Sequence, residues 1–307
     1  MQRIHQKRRN SPNFLVFIAL LTSCSAAPDA DGEMPPVCSF EGPPRARVQS
    51  ASALLEYFKT SANSLDSLRQ ARAITTVQVD RLPNDLSSLP AQRVDLFLRL
   101  MLPSAVAVND AVAADRVRLL ALESSPTSTE QDTLFLADLS ERYGLATPSV
   151  PELLQRVDRI PIGLLLAQAA DESGWGRSRF AIEGNALFGQ HASGNAGPSI
   201  AAKAAPVRMA AFETICEATR AYVLNLNSSR AYAGLRSLRA QRRRENKAVS
   251  GQELAGELLR YSERGEDYVR DLRSIIRHHG LDDFNRLSGT EPRGWIQIVR
   301  SPAEGPS

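Results

Sequence analysis

The sequence predicts a mainly helical protein with one irregular stretch in its second half. Apolar residues recur at helical spacing from about residue 90 to residue 280, broken by proline, glycine and capping patterns. The stretch from residue 191 to residue 209 is the least regular part and is rich in glycine and alanine. The hydrophobic content of 43% is ordinary for a globular protein of one or two domains.

Changes in composition divide the chain into five segments. We expect a lipoprotein signal peptide at 1–23, a flexible tether at 24–47, a helical N-terminal region at 48–150, a second helical domain at 151–285 and a flexible tail at 286–307. In the tail, the mostly apolar residues 295–299 (WIQIV) could add a short strand.

The first segment has the layout of a targeting sequence. A basic start precedes a short apolar core, and the box Leu21-Thr22-Ser23-Cys24 then resembles a bacterial lipoprotein cleavage site. We predict that Cys24 carries lipid, with an ordinary secretion signal as the alternative. Because Ser25 follows the cysteine, resemblance to Gram-negative sorting favours the periplasmic face of the outer membrane.

The net charge does not indicate a nucleic-acid partner. The chain has 37 basic and 34 acidic residues, and the signal peptide contains four of the basic ones and no acid. The mature chain would therefore have 33 basic and 34 acidic residues, a net charge of −1. A basic cluster at residues 236–247 could meet anionic wall polymers, but a solvated loop is the favoured interpretation.

Two cysteines remain after Cys24 is assigned to lipid. An oxidising periplasm permits a disulfide between Cys38 and Cys216. Because Cys38 lies in the predicted tether, we favour two unpaired thiols. No cysteine and histidine spacing in the sequence matches a metal site, so we expect no metal and no cofactor.

The N-terminal region shows extended and helical patterns. Val77 and Val79 alternate with polar residues, which is typical of a short strand. The apolar face from Val94 to Leu102 predicts a helix that ends near Pro103, followed by a second long helix up to residue 124. Thr129 precedes another helix, and a further short helix begins at 150.

The strongest helix pattern of the second domain lies at residues 162–173. Asp158 could cap it, Pro161 suits a first helical position and Gly174 is the expected stop. Glu172 then lies in the last turn of a buried helix. The helix dipole and burial beside Trp175 would both favour its protonated form, as a general acid requires. The alternative is a glutamate that ends a helix in water.

The residues around Glu172 resemble a known family. Residues 167–180 (AQAADESGWGRSRF) and 183–190 (EGNALFGQ) are similar to the Bax-type bacterial glucosaminidase-domain proteins, which belong with the N-acetylglucosaminidases of glycoside hydrolase family 73. Residues 221–227, 231–232 and 261–268 also match. The resemblance covers about residues 75–285. It implies an α+β, lysozyme-like catalytic domain with a small β-lobe, and Glu172 as the catalytic acid.

We predict a set of substrate-binding residues around Glu172. Aromatic faces suit sugar rings, although a core position is the alternative for each ring. The predicted set is Gln168, Trp175, Glu183, Asn185, Phe188, Gln190 and Tyr222.

The second catalytic group is open in the sequence. Family members that use a second glutamate place it in the β-lobe, but this chain has no acid between Glu183 and Glu213. The candidates are Tyr261, which we favour, Glu263, Glu183 and the 2-acetamido group of the substrate. Glu217 lies three residues after Thr214, in a capping-box pattern, and is assigned to structure. Ser250 and Glu253 form a second capping-box pattern, which predicts the start of a later helix.

The sequence therefore predicts a peptidoglycan hydrolase that cuts the β-1,4 bond after N-acetylglucosamine. We expect a monomer that acts on glycan strands and is held at the membrane through Cys24. Two alternatives are a lytic transglycosylase, which also needs one glutamate, and a non-catalytic wall-binding lipoprotein. The segment Leu187-Phe188-Gly189-Gln190, in place of the transglycosylases' usual Gly-Leu-Met-Gln, favours the glucosaminidase.

Overall fold

The computed structural model describes residues 36–38, 40, 42–60, 64–125, 129–192, 197–202 and 207–300. The predicted signal peptide, the lipidation site Cys24 and the first part of the tether lie outside the described residues. Those three assignments stay predictions.

The described residues form a mainly helical protein, as predicted. The helices are Ala51–Thr60 (α1), Leu65–Gln70 (α2), Arg93–Ser124 (α3), Glu130–Arg142 (α4), Val150–Arg156 (α5), Ile162–Ser173 (α6), Arg179–Gly184 (α7), Ile215–Ser228 (α8), Ala233–Arg244 (α9), Gly251–Ala255 (α10) and Glu266–His278 (α11). The strands are Ala46–Val48 (β1), Ala73–Val79 (β2), Ser199–Ala201 (β3), Arg208–Ala210 (β4) and Ser288–Ile298 (β5).

Several predicted helix ends are confirmed by their capping contacts. Thr129 and Ser250 each form a reciprocal capping box with the acidic residue three positions later. The Thr214 hydroxyl accepts from the backbone N–H of Glu217 and begins α8, which leaves Glu217 with a structural role. Gly174 takes the left-handed conformation and ends α6.

Helix α3 is one continuous helix through Pro103, so the prediction of two helices separated at Pro103 is wrong. A proline inside a helix removes one backbone hydrogen bond, at a cost of about 3 kcal/mol. Here both flanks of the proline are buried, from Leu96 to Val108. Packing on both sides offsets the missing bond. The helix is long and apolar enough to span a bilayer, but most of its apolar stretch is buried inside the protein, as in a core helix.

The C-terminal segment is not a flexible tail over residues 288–298. Strand β5 is the central strand of a three-stranded parallel sheet with the order β1-β5-β2. Val79 pairs with Ile296 and Val48 with Ile298, and all four side chains are buried. The run at residues 295–299 that suggested a short strand therefore belongs to a longer one, which packs against α3.

The end of the predicted tether is also ordered. Residues Pro36–Cys38 form a short 3₁₀-helix, and Cys38 is bonded to Cys216 of α8, with 5.5 Å between their α-carbons. The Gln78 side chain donates to the carbonyl of Val37 at 2.9 Å. The prediction of two unpaired thiols is wrong because this segment packs against α8 and places the cysteines at bonding distance.

Most of the basic cluster lies in helix α9, and two of its arginines are buried, which corrects the prediction of a solvated loop for that part; Arg243, Arg244 and Lys247 are exposed. Arg236 and Arg239 of α9 are only 8% and 1% exposed. Arg239 donates to the carbonyls of Gln155 and Arg156 at the end of α5. Asp158 pairs with Arg239 instead of capping α6, whose N-cap position is Pro161.

Helix α6 lies at the centre of the second domain. Every residue from Ile162 to Ala170 is buried, and α3, α10 and α11 pack around the helix. The side chain of Asn285 accepts a hydrogen bond from the first-turn N–H of Gly163 at 2.9 Å. This packing holds the C-terminal turn of α6, and with it Glu172, in a fixed position.

Candidate active site

The last turn of α6 places Glu172 against the segment that follows α7. Glu172 is half-buried, and Gly189 approaches it so closely that a β-carbon on Gly189 would lie 2.7 Å from Oε2 of the carboxyl group. Gly189 has a φ of +63°, in the left-handed region that favours glycine. The glycine thus lets the backbone cover one side of the carboxyl group.

Burial raises the pKa of Glu172 from 4.5 to about 7. A hydrogen bond from Tyr268 lowers the pKa, the nearby charge of Asp171 raises it, and Arg264 lowers it slightly. Arg264 forms its ion pairs with Asp171 and Asp271. The balance keeps a large share of Glu172 protonated near neutral pH, which is the state that a general acid needs.

A chain of hydrogen bonds runs behind Glu172. Gln168 lies one turn earlier on the same face of α6 and is fully buried. Its Oε1 accepts from the hydroxyl of Tyr222 on α8, and its Nε2 donates to the hydroxyl of Tyr268 on α11 at 2.9 Å. Gln168 and Tyr222 thus lie in the site, but behind the carboxyl group and not on a sugar-facing surface.

Two aromatic stacks flank this chain. Phe188 stacks on Tyr222 with 4.1 Å between ring centroids, and Tyr261 stacks on Tyr268 at 5.6 Å. The hydroxyl of Tyr261 donates to the carbonyl of Phe188 at 2.5 Å, which joins the two stacks. Phe188 is buried, whereas Tyr261 is half-exposed and can also face a substrate.

Two of the predicted binding residues, Trp175 and Asn185, are engaged in packing contacts within the protein. The Trp175 ring packs edge-on against Phe97 of α3 and His279, at 5.8 and 4.8 Å between centroids. The Asn185 side chain donates to the carbonyls of Phe212 and Glu213 and so holds the segment that precedes α8. We assign both to packing, and Tyr268 is the aromatic residue whose hydroxyl lowers the pKa of the Glu172 carboxyl group.

The remaining predicted carboxylates lie at the surface. Glu183 is exposed on α7 and forms an ion pair with Arg179 at 2.8 Å. Glu263 is also exposed, in the turn before α11. The structure therefore does not bring either side chain into the buried surroundings of Glu172.

Gln190 joins the site to the small β-lobe. Its carbonyl accepts from Ala210, and its Oε1 atom is buried without a hydrogen-bond partner among the described residues. The lobe itself is the antiparallel pair β3 and β4, with an added bridge between His191 and Met209. The predicted small β-lobe is thus confirmed for its described residues.

Sequence reasoning missed three residues of the site. The resemblance of residues 261–268 and 183–190 to the family assigns no separate role to Tyr268 or to Gly189. Tyr232 lies with its ring 6.0 Å from that of Tyr261. The seven-residue spacing of Tyr261 and Tyr268, which spans a turn and the start of α11, was the available signal.

The chain is similar to known proteins over the segment that contains Glu172. The profile of the glucosaminidase family, described as mannosyl-glycoprotein endo-beta-N-acetylglucosaminidase, matches residues 148–281. Protein bax of Escherichia coli (strain K12) is 31% identical over 210 residues, which cover 66% of this chain and 76% of that protein.

Two solved structures also align with this chain. The catalytic domain of the autolysin Auto from Listeria monocytogenes is 18% identical, with 55% of this chain and 96% of that chain covered and a TM-score of 0.32. The C-terminally truncated glycoside hydrolase domain of Salmonella typhimurium FlgJ is 23% identical, with 46% and 95% covered and a TM-score of 0.30.

The family profile spans α6, Glu172 and the tyrosine segment, and the identity to the Escherichia coli protein extends over most of that protein's length. The chain therefore belongs to the glucosaminidase family and is a homologue of Protein bax.

Proposed function

We propose that the protein is a peptidoglycan hydrolase, an endo-β-N-acetylglucosaminidase in which Glu172 protonates the leaving oxygen of the β-1,4 bond after N-acetylglucosamine. The observation that carries this proposal is the half-buried Glu172 carboxyl group, whose pKa burial raises to about 7. A glycosidic oxygen needs a proton as the bond breaks, and an acid with such a pKa can supply it near neutral pH. The glucosaminidase family profile supports the substrate class.

We propose that the base or nucleophile that works with Glu172 is not a second carboxylate of the protein. Glu183 is engaged with Arg179 at the surface, and Glu263 is exposed. Tyr261 is half-exposed and is bonded to the segment that contacts Glu172. We therefore propose a one-carboxylate site in which Tyr261 helps to position the substrate. The nucleophile that attacks the anomeric carbon, as the glycosidic bond breaks, is the substrate's own acetamido group or a water molecule.

The same one-carboxylate site favours a lytic transglycosylase as the second candidate. Such an enzyme also needs one acid and uses a hydroxyl group of the sugar as nucleophile. A non-catalytic wall-binding protein is the third candidate, but a buried acid with a raised pKa has no evident use in simple binding.

Mass spectrometry of digested peptidoglycan separates the three candidates. Purified wall material is incubated with the wild-type protein and with Glu172→Gln, and the new glycan ends are identified. Reducing N-acetylglucosamine ends that depend on Glu172 support the proposal. Anhydromuramic ends would show that the protein is a lytic transglycosylase instead. No new ends would show that it binds the wall without cutting it.

Variants at the other candidates locate the second group. Glu183→Gln and Glu263→Gln should each keep most of the activity, and Tyr261→Phe should lose much of it. A loss in either Gln variant as large as that of Glu172→Gln would show that the protein does supply a second carboxylate.

We also propose lipid attachment at Cys24, on the periplasmic face of the outer membrane. Metabolic labelling with a fatty-acid analogue should mark the wild-type protein and leave Cys24→Ser unlabelled. Equal labelling of the two proteins would rule out this anchor.

A further inference from the structure

The buried amide of Gln168 is unusual in its surroundings. Every other residue of α6 from Ile162 to Ala170 is apolar, yet Gln168 lies in the middle of the protein and is completely buried. A buried amide costs free energy unless its hydrogen bonds are made, and this one is placed between the hydroxyl groups of Tyr222 and Tyr268.

The direction of these hydrogen bonds is fixed by the group at the end of the chain. Glu172 follows Gln168 by one turn on the same face of α6, so the Tyr268 hydroxyl that Gln168 holds lies on the side of the Glu172 carboxyl group, whose pKa it lowers. An ionised carboxylate can only accept, so toward Glu172 the Tyr268 hydroxyl donates. The Tyr268 hydroxyl has one proton, so from Gln168 it can only accept, and the amide must present its NH₂ group to Tyr268. The amide oxygen then faces Tyr222, whose hydroxyl donates to it.

All three hydrogen bonds therefore run in one direction, from Tyr222 through Gln168 and Tyr268 to Glu172. We infer that Tyr268 is a positioning residue for the proposed general acid: its hydroxyl occupies one oxygen of the Glu172 carboxyl group and leaves the catalytic proton to the other. This inference rests on the proposed function for its catalytic consequence, but the hydrogen-bond chain itself can be tested without any substrate.

The Tyr268 ring is held so that its hydroxyl cannot easily move away. The ring is buried, it lies parallel to the ring of Tyr261 with an interplanar angle of 2°, and the guanidinium group of Arg264 lies 5.0 Å from its centroid. Arg264 is itself fixed by ion pairs to Asp171 and Asp271. Because the ring is already fixed, little additional entropy is lost when its hydroxyl donates to the ionised carboxyl group.

The bond from Tyr268 has two consequences for Glu172. It stabilises the carboxylate and so opposes the effect of burial on the pKa. It also selects the oxygen that carries the proton, because a carboxyl oxygen that already accepts from Tyr268 is the poorer place for a second proton. A carboxyl group free to rotate would present its proton to the substrate only part of the time.

The test compares Tyr268→Phe with Tyr143→Phe. The first change removes the hydroxyl and keeps the ring that stacks on Tyr261. The second removes a buried hydroxyl from a tyrosine at the end of α4, outside the hydrogen-bond chain. The Glu172 carboxyl is titrated by ¹³C NMR in substrate-free protein labelled at the glutamate carboxyl carbons, with Glu172→Gln used to assign the signal.

We expect the midpoint of the Glu172 titration to rise by roughly one pH unit in Tyr268→Phe and to stay unchanged in Tyr143→Phe. In Tyr268→Phe, the alkaline limb of the pH–rate profile on purified glycan should shift to higher pH by the same amount, while the rate at pH 5 falls roughly tenfold. A role in folding alone would lower the rate at every pH and leave the limb in place.

Gln168→Met provides a second variant should Tyr268→Phe fold poorly. Loss of the amide weakens Tyr268 as a donor, so the midpoint should rise by less, and the double variant should match Tyr268→Phe alone. A midpoint unchanged in both single variants overturns the inference. A shifted midpoint in a protein that releases no glycan fragments would retain the hydrogen-bond chain and refute the proposed function instead.

Discussion

Two carboxyl groups lie at the two ends of helix α6, and the protein surrounds them in opposite ways. Asp158, just before the helix, is 2% exposed and forms ion pairs with Arg239 and Arg243. Glu172, in the last turn, is half-buried and is bonded to the neutral hydroxyl of Tyr268. Arg264, whose charge lowers the pKa of Glu172, is itself paired with Asp171.

The difference in partners explains the difference in role. Arg239 donates to the carbonyls of Gln155 and Arg156 and to Asn227, so the pair with Asp158 joins α5, α8 and α9. A buried charge with cationic partners is committed to holding these elements together. Among the described residues Glu172 forms no ion pair, and its burial raises its pKa to about 7 and keeps a proton available for chemistry.

The largest effect is expected from Glu172→Gln, which keeps the shape of the side chain and removes its proton. Activity on purified glycan strands should fall by roughly 10²–10⁴-fold, the range of general acid catalysis. Folding should be retained, because the change removes a carboxyl group from the C-terminal turn of a helix. Turnover equal to that of the wild type would remove Glu172 from the mechanism.

Asp158→Asn should show the opposite pattern, with stability lost first. The change leaves the buried guanidinium of Arg239 without its anionic partner, so we expect the free energy of unfolding to fall by about 3–5 kcal/mol. Asp138→Asn is the matched control, since its ion pair with Arg142 lies on the exposed face of α4 and should contribute less than about 1 kcal/mol.

Urea unfolding of the two variants measures this contrast. Equal losses in Asp158→Asn and Asp138→Asn would show that the cluster around Arg239 does not organise the fold.

A smaller effect is expected from Gly189→Ala. The added β-carbon would lie 2.7 Å from Oε2 of Glu172 and displace the carboxyl group, so the rate should fall by roughly 10- to 100-fold. Gly144→Ala is the control, because Gly144 has a similar φ of +68° with no atom within 4 Å of the added carbon. The two variants should lose similar stability, and a similar loss of rate in both would exclude a specific contact with Glu172.

Local patterns in the sequence predict the helices and the acid. The apolar run before Glu172, the stop at Gly174 and the capping boxes at Thr129 and Ser250 depend on neighbours within one or two turns, and all are present. The burial of Arg236 and Arg239 in α9 could not be predicted in this way, because a run of arginines has the same local pattern whether or not Asp158 lies beneath it.

Features that join distant parts of the chain could not be predicted. Cys38 and Cys216 are 178 residues apart, and β5 pairs in parallel with β2 more than 200 residues earlier in the chain. The hydrogen bond between Gln168 and Tyr268 spans 100 residues. Such contacts depend on how the helices pack, and a single sequence records only the apolar faces that make the packing favourable.

The most direct test of the account is the pH dependence of stability in the wild type and in Glu172→Gln. Because the folded state raises the pKa of Glu172 from 4.5 to about 7, it binds the proton more tightly than the unfolded state does. The wild type should therefore lose stability relative to the variant as the pH rises through this window, by about 3 kcal/mol in total. Urea unfolding of both proteins from pH 4 to pH 8 measures the difference, in which the other titrating groups cancel. A difference that stays constant over this range would contradict the claim that the fold holds Glu172 as an acid.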